Sequence, residues 1–388
     1  MTLKKISSAM LILTHACNLR CRYCFVNKTP EHMTYEVALD SAKFLIENAE
    51  MDGTVPHINY FGGEPTIMWD SIIVPLTNWI RQEYKKPFTL GITTNGTLLN
   101  DERLNFLKDN QISLLFSIDG AKATQDYNRP YHNGEGSFDS LEDIIPKIAS
   151  TFRGSTFRST VIPPTCHHTF ENIMFARDNG FTKFYIVPNV FEEWTEDQKA
   201  TLKSEFDKYI DYYIGEYRSG RIPIEFTPLS DAFDDIKKIN NAVVGNQYRT
   251  LNQCFACGKC GLGANKNAAI HPNGNIYGCQ EMTSNEGDKS IFYIGNIYTG
   301  VEDARRFSLM NAFDSEQARG SNCGGCRYNR ICNGGCVANN YLIHGDLNVN
   351  PPMYCWWQQT VLDAAIKIVQ TLGGDQNEMF RAKWSSKR

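Results

Sequence analysis

The fold of this chain is decided by a short stretch near its start, Thr14-His15-Ala16-Cys17-Asn18-Leu19-Arg20-Cys21-Arg22-Tyr23-Cys24-Phe25. Its cysteines are spaced as CxxxCxxC, with an aromatic residue before the last one. Three thiolates on one loop can hold three irons of a [4Fe–4S] cube and leave the fourth iron open for chemistry. The alternatives are buried cysteines or a zinc site, although zinc prefers a closed set of four ligands and this loop offers three.

Around this loop, apolar runs typical of strands alternate with amphipathic segments typical of helices. Strands are expected at 10–14, 57–61, 88–92, 112–118, 156–162 and 183–187, and helices at 34–49, 69–84, 101–108, 141–149 and 195–214. This alternation indicates an α/β fold with parallel strands, built from about six β/α units.

A second motif, Asn59-Tyr60-Phe61-Gly62-Gly63-Glu64-Pro65, follows the second expected strand and opens a helix. Glycines at a strand end let the backbone approach a ligand closely, and a helix start offers free N–H groups. Taken alone, Gly-Gly-Glu-Pro is more often an ordinary turn. Placed one β/α unit after CxxxCxxC, it points to a binding site.

The two motifs together resemble the signature of the radical SAM superfamily. The resemblance implies a partial (β/α)6 TIM-like barrel, and a [4Fe–4S] cluster on Cys17, Cys21 and Cys24. The open iron of that cluster binds S-adenosylmethionine (SAM), which is cleaved to a 5′-deoxyadenosyl radical. Glu64 is expected to accept a hydrogen bond from the SAM ammonium, with Gly62 and Gly63 beside it.

Two further strand ends, 93–97 and 117–120, resemble stretches that line the SAM pocket in this superfamily. A hydroxyl and a carboxylate suit ribose hydroxyls, so Ser117 and Asp119 are predicted SAM contacts. The alternative for Asp119 is a turn residue before Gly120. Arg129 is predicted to pair with the SAM carboxylate, and a surface arginine is the alternative.

The second half of the chain is rich in cysteine: nine of the 13 cysteines lie between Cys254 and Cys355. A segment rich in Cys, Gly and Asn cannot build a core from side chains alone, so metal clusters are its expected organisers. The array resembles the SPASM domain, which implies two auxiliary [4Fe–4S] clusters and three clusters in all. By this resemblance, the first auxiliary cluster takes Cys254, Cys260, Cys279 and Cys336, and the second takes Cys323, Cys326, Cys332 and Cys355.

Two cysteines remain: Cys257, which is an alternative to Cys254, and Cys166, which is expected to be a bystander. The domain boundaries follow as a radical SAM core at 1–218, a bridging region at 219–250, a SPASM domain at 251–365 and a solvated C-terminal tail at 366–388. The histidines show no metal-ligand spacing with the thiols and are expected to be hydrogen-bonding residues.

Composition excludes several classes of protein. The formal net charge of −4 gives no basic field for nucleic acid. No run of ~18 apolar residues occurs, so no membrane span is expected. Thirteen cysteines without a signal peptide indicate metal sites in a reducing cytoplasm rather than a secreted disulfide scaffold.

SPASM enzymes act mainly on peptides and proteins, so the resemblance implies an oxidoreductase that modifies a peptide. The leading hypothesis is a maturase that forms a thioether or carbon–carbon crosslink, or another oxidation, in a ribosomally made precursor. An auxiliary cluster would receive the second electron, and flavodoxin or ferredoxin would supply the first. Many such maturases carry an N-terminal leader-binding domain, and Cys17 lies too near the start to follow one. The precursor is therefore expected to be captured by a separate leader-binding protein or by the barrel mouth itself.

The alternative is an anaerobic sulfatase-maturing enzyme, which generates formylglycine. Those enzymes place a proposed catalytic Asp just before the SPASM cysteines, and the comparable stretch here, 224–229, lacks it. Asp231 or Asp234 would have to substitute. A small-molecule radical SAM dehydrogenase is a third hypothesis.

Overall fold

The computed structural model describes residues 3–244, 266–283, 287–312, 325–328, 331–332 and 335–385. Four of the predicted or alternative cluster ligands, Cys254, Cys257, Cys260 and Cys323, lie outside these ranges. The predictions made for them therefore remain predictions.

Six parallel strands pair in the order of the chain and form the central sheet. They are β1 (Ser8–Thr14), β2 (His57–Gly62), β3 (Thr89–Thr94), β4 (Ile112–Ser117), β5 (Thr156–Val161) and β6 (Lys183–Pro188), and the two-residue β7 (Glu225–Phe226) follows β6. Buried and more exposed side chains alternate along β4, β5 and β6, so one face of these strands packs in the core and the other is more open. The α/β fold expected from the alternating pattern is confirmed.

Helices connect these strands and carry the start and stop signals that the sequence predicts. Thr34 caps α1, whose first turn donates from the Val37 N–H to the Thr34 hydroxyl at 3.3 Å. Thr195 and Gln198 form a reciprocal capping box at the start of α7. The helices of this half are α1 (Tyr35–Asp52), α2 (Val74–Gln82), α3 (Asp101–Asp109), α4 (Lys122–Asn128), α5 (Ile145–Thr151), α6 (Thr169–Asp178), α7 (Glu196–Arg218) and α8 (Thr227–Val244).

The helix expected at 69–84 is divided. Residues Trp69–Ile73 form a π-helical turn, and α2 begins at Val74. Pro75 has no N–H to donate back into the preceding turn, which accounts for the break in the regular α-helical pattern.

The cysteine-rich half continues the same sheet. Strand β8 (Asn267–Ile270) pairs in parallel with β1, and β9 (Asn275–Tyr277), β10 (Tyr293–Asn296) and β11 (Gly300–Val301) follow as an antiparallel meander. Helices α9 (Asp303–Ala312), α10 (Val337–His344), α11 (Pro352–Gly374) and α12 (Glu378–Ser385) complete the described chain. None of the described helices is long and apolar enough to cross a bilayer.

The end of the chain is anchored, in contrast to the solvated tail expected at 366–388. Helix α11 continues to Gly374, and the Trp357 ring lies 5.0 Å from that of Phe206 on α7. On α12, Phe380 is 2% exposed and contacts the rings of Tyr217 and Phe233 at 5.6 and 5.8 Å. The last residues are mostly polar, so their composition did not indicate that Phe380 is buried.

Candidate functional site

A cavity of about 330 Å³ opens at the carboxyl ends of the parallel strands. Parallel strands bring their carboxyl ends to one edge of the sheet, and ligands bind there in barrels of this type. The wall includes the ends of four strands and the cysteine loop, with Gly62, Thr94, Ser117, Pro188, Cys17, Cys21 and Cys24 among its residues.

The three cysteines of the CxxxCxxC loop all line this cavity. A four-iron cube carries one metal at each corner and can take one thiolate at each of three corners, whereas zinc prefers a closed set of four ligands. Burial raises the pKa of the Cys17 thiol to about 12 and also raises that of Cys21, so thiolates here require a positively charged partner.

Backbone contacts hold the loop against the segment after α4. The Arg20 and Arg22 N–H groups donate to the carbonyls of Pro130 and Asn128 at 2.7 and 3.0 Å. The Leu19 side chain is fully buried, and its N–H donates to Cys17 Sγ at 3.4 Å. The loop therefore has a defined shape before any ligand is considered.

Gly62 and Gly63 pack against the entry to the cysteine loop. The Gly63 N–H donates to the Thr14 carbonyl at 2.7 Å, and the Glu64 N–H donates to that of Ala16 at 2.9 Å. A Cβ at Gly62 would lie 2.2 Å from the Thr14 oxygen, and one at Gly63 would lie 2.2 Å from the Ala16 oxygen. These glycines therefore let the chain after β2 pack closely against the backbone of the cysteine loop. The sequence had predicted a close approach to a ligand instead.

Glu64 is 1% exposed and is held by four hydrogen bonds. Its Oε1 accepts from the Thr66 N–H, the Thr66 hydroxyl and the Thr94 hydroxyl at 3.1, 2.6 and 2.7 Å, and its Oε2 accepts from the Asn95 N–H at 2.8 Å. Burial raises the pKa of this carboxyl, and the four donors oppose that shift. Glu64 lines the cavity and also joins the end of β2 to the end of β3, while its contact with SAM stays a prediction.

Asp119 and Arg129 are paired with each other. Arg129 donates to Asp119 Oδ1 at 3.1 Å, and Tyr23 and Asn128 donate to Asp119 Oδ2 at 2.6 and 3.0 Å. Asp119 is completely buried and is absent from the cavity wall, so its predicted contact with ribose does not fit the structure. Arg129 lines the cavity with a guanidinium already neutralised by Asp119, and it is not the surface residue considered as an alternative.

Sequence reasoning missed a second arginine on the wall. Arg158, on β5, donates to the Thr160 hydroxyl at 2.6 Å and lies near Tyr185, and it faces the same cavity as Ser117. No motif surrounds it. The alternation of side chains along β5 is the signal that could have found it, because this pattern places every second residue on the same face of the sheet.

The cysteine-rich half contributes Gln280, Glu281 and Asn339 to the wall. Cys336 Sγ lies 3.7 Å from Glu281 Oε2, which brings two predicted ligands of the first auxiliary cluster, Cys279 and Cys336, close to the cavity. For the second cluster, Gln359 lies one turn after Cys355 on α11 and donates to Cys326 Sγ at 3.8 Å. Cys166 is buried away from the wall, and its thiol faces the Gln198 carbonyl at 3.7 Å.

A sequence model of the Radical SAM superfamily matches residues 11–177, the stretch that holds both motifs and five of the six barrel strands. This stretch of the chain is a radical SAM domain. A domain of this family implies SAM and a [4Fe–4S] cluster as cofactors, and the resemblance drawn from the motifs is confirmed.

Relatives of this chain include maturation enzymes. A cysteine-type anaerobic sulfatase-maturating enzyme from Clostridium novyi (strain NT) is 24% identical over 87% of this chain and 89% of its own length. The radical SAM cyclopropyl synthase TigE from Paramaledivibacter caminithermalis is 22% identical over 86% of this chain and 68% of its own.

Solved structures show the same fold. The structure of anSMEcpe with bound AdoMet superimposes with a TM-score of 0.72 at 17% identity, covering 97% of each chain. Streptococcus suis SuiB bound to the precursor peptide SuiA gives 0.60 at 17% identity, covering 91% of this chain and 76% of SuiB. These matches extend over the cysteine-rich half as well as the barrel.

Proposed function

We propose that this protein is a maturase that oxidises or crosslinks a residue in a ribosomally made precursor peptide. The observation that carries the proposal is the shared wall of the cavity: the CxxxCxxC loop lies on it together with residues that flank the C-terminal cysteines Cys279 and Cys336. Support also comes from TigE and from SuiB, whose structure holds the precursor peptide SuiA.

The cysteines are proposed as ligands of three clusters. Cys17, Cys21 and Cys24 would hold the SAM cluster, and the two C-terminal sets would hold auxiliary clusters, with the ligands expected from the sequence. Bound here, the SAM cluster and its SAM would supply a 5′-deoxyadenosyl radical that abstracts a hydrogen atom from the substrate. The protein's own contribution is to orient SAM and the peptide and to exclude water from the cavity.

The residues proposed to bind SAM are those that the cavity exposes. Glu64 Oε2 accepts only one of the carboxylate's four hydrogen bonds, so it retains capacity to accept from the SAM ammonium. Ser117 has a hydroxyl on the wall that suits a hydroxyl or carboxylate of SAM. Arg158 is proposed for the SAM carboxylate in preference to Arg129, because the Asp119 carboxylate already neutralises Arg129.

Sulfatase maturation is the second candidate. It is favoured by the Clostridium novyi relative, whose length this chain matches almost completely. It is disfavoured by the cavity, whose described wall offers Glu64 and Glu281 as its carboxylates and no Asp. In the stretch where such enzymes place the Asp, Glu225 instead accepts a hydrogen bond from Ser230.

The substrate is tested by coexpression with short reading frames and with any sulfatase gene found beside this gene, followed by mass spectrometry of the product. A precursor peptide that loses two hydrogens, and does so only with the intact enzyme, would support the proposal. The matched control is the enzyme with Cys17, Cys21 and Cys24 replaced by alanine. A formylglycine in a sulfatase peptide, with the precursor unchanged, would instead establish the second candidate.

A further inference from the structure

Three side chains that the proposed reaction does not use meet beside the base of the cysteine loop. His15 follows β1, Glu31 lies on the segment that returns from the loop, and His271 follows β8. Because β1 and β8 are paired in parallel, with Leu11 opposite Ile270, the residues that follow the two strands are brought together. Sequence spacing could not reveal this trio, since its members are separated by 16 and 240 positions.

The potential ligand atoms of the trio converge on one point. One ring nitrogen of each histidine and one Glu31 oxygen all lie within 4.8 Å of one another. His271 Nε2 is 3.7 Å from Glu31 Oε2, and the two imidazole rings are 5.0 Å apart in an edge-to-face arrangement. These separations are too long for direct hydrogen bonds and leave space between the groups.

Both histidines are buried with an unsatisfied nitrogen. His15 is 7% and His271 1% exposed, and Nε2 of each has no hydrogen-bond partner within the described part of the chain. His271 Nδ1 pairs with the Asn273 side-chain oxygen at 3.0 Å, and His15 hydrogen-bonds to the backbone of Asn27. A Nδ1–H donated to an oxygen fixes the tautomer that leaves a lone pair on Nε2, as is usual for histidines that bind metal.

We propose that His15, Glu31 and His271 bind one Zn²⁺ ion. Two imidazoles and a carboxylate form a known zinc ligand set, with a water in the fourth position. Ligand atoms about 2.0–2.2 Å from a tetrahedral ion are roughly 3.3 Å apart, so the trio needs only a small inward movement. The Glu31 side chain is 34% exposed, which leaves a solvent-facing side for the water.

The ion would act as a structural staple. His15 precedes Cys17 by two residues and Glu31 follows Cys24 by seven, so the ion would close the base of the cysteine loop. The His15 N–H already donates to the Glu31 carbonyl at 3.0 Å across this base. The His271 ligand would fasten the loop to the sheet extension of the cysteine-rich half. This role is independent of which peptide the enzyme modifies.

The site is tested on the anaerobically prepared holoenzyme by supplying Zn²⁺, desalting, and measuring zinc and iron by mass spectrometry. We expect roughly one zinc per chain in addition to the iron, bound by three protein ligands. X-ray absorption at the zinc edge should show nitrogen and oxygen neighbours at about 2.0–2.2 Å and no sulfur at about 2.3 Å.

Variants assign the zinc to the trio. His271→Gln and Glu31→Gln should lose the bound zinc, while His57→Gln, a half-buried histidine that bonds Thr89 at 2.9 Å, should retain it. Asn273→Ala removes the partner of His271 Nδ1 and should weaken zinc binding by about 10–100-fold without removing a ligand. This last variant keeps the test valid if a ligand variant fails to fold.

Several results would overturn the proposal. A folded wild-type holoenzyme that retains no zinc is the first. Zinc with sulfur neighbours is another, and so is zinc held equally well by the wild type and by the Glu31→Gln and Asn273→Ala variants. Zinc displaced from the iron sites would be recognised by a matching loss of iron, and it would count as a contradiction.

Discussion

At Gly63, a side chain as small as a methyl group would collide with the backbone that leads into the cysteine loop. Gly63→Ala would place a Cβ 2.2 Å from the Ala16 carbonyl oxygen. This oxygen belongs to the backbone, so it cannot move aside as the end of a flexible side chain could. We expect destabilisation of about 1–3 kcal/mol and a loss of iron from the SAM cluster. Chemical denaturation and iron analysis measure both quantities.

The control for Gly63→Ala is Gly215→Ala. Gly215 lies within α7, and a Cβ there would meet nothing within 4 Å. Alanine is favoured over glycine in a helix by about 1 kcal/mol, so this variant should be slightly more stable and keep its iron. Equal iron content in both variants would refute the proposed role of Gly63.

Removing one partner of the buried pair of Asp119 and Arg129 should lower the free energy of unfolding more than removing the charge of both. Arg129→Met would leave the Asp119 carboxylate buried without its cation, which costs about 3–5 kcal/mol. Adding Asp119→Asn to Arg129→Met removes the unpaired buried charge and should recover part of the lost stability. Urea unfolding of the two variants measures the difference, with Lys86→Met, a change to an exposed ion pair, as the control.

If Arg129→Met and Lys86→Met have the same unfolding midpoint, the Asp119–Arg129 pair does not stabilise the structure.

Residue types and spacing predicted which side chains gather at this edge of the sheet. They could not show that Arg129 faces Asp119, because that pairing depends on how α4 turns the chain back toward β4. Arg158 differs, because the alternation of side chains along β5 could have placed it on the cavity face.

Among the elements, the cysteine loop depends on the segment that follows α4. Leu19 is fully buried at the centre of the loop, where Leu19 and Tyr131 form an isolated β-bridge. Leu19→Ala would open a cavity and lower the free energy of unfolding by about 2–5 kcal/mol. Because Leu19 anchors the loop, the loop should become more mobile. We expect faster loss of iron from the SAM cluster on exposure to a chelator.

Leu98→Ala is the matched control, since Leu98 is 37% exposed and is absent from the cavity wall. The two variants should differ in the rate of iron release, and equal rates would show that the buried Leu19 does not support the loop.

Strongly patterned elements such as β4 and α7 were predicted to within a few residues. Helix length alone did not decide the outcome, because the nine-residue α3 was predicted whereas α4, α6 and the longer α8 and α11 were not.

On the scale of the whole molecule, the barrel and the cysteine-rich half share one sheet. The domain boundary predicted after residue 218 separates them, and no local pattern indicates that β8 pairs with β1. The pairing is a contact between residues more than 250 positions apart, which only the folded chain reveals. It brings Gln280, Glu281 and the trio of His15, Glu31 and His271 to the same end of the sheet as the cysteine loop.

The central claim is that the cavity holds a cluster bound by three cysteines and open to SAM, and the cleavage of SAM by the reduced enzyme tests it most directly. The wild type should contain roughly twelve irons and produce 5′-deoxyadenosine. With Cys17, Cys21 and Cys24 replaced by alanine, the protein should retain about eight irons and produce none. A triple variant that still forms 5′-deoxyadenosine would contradict the account.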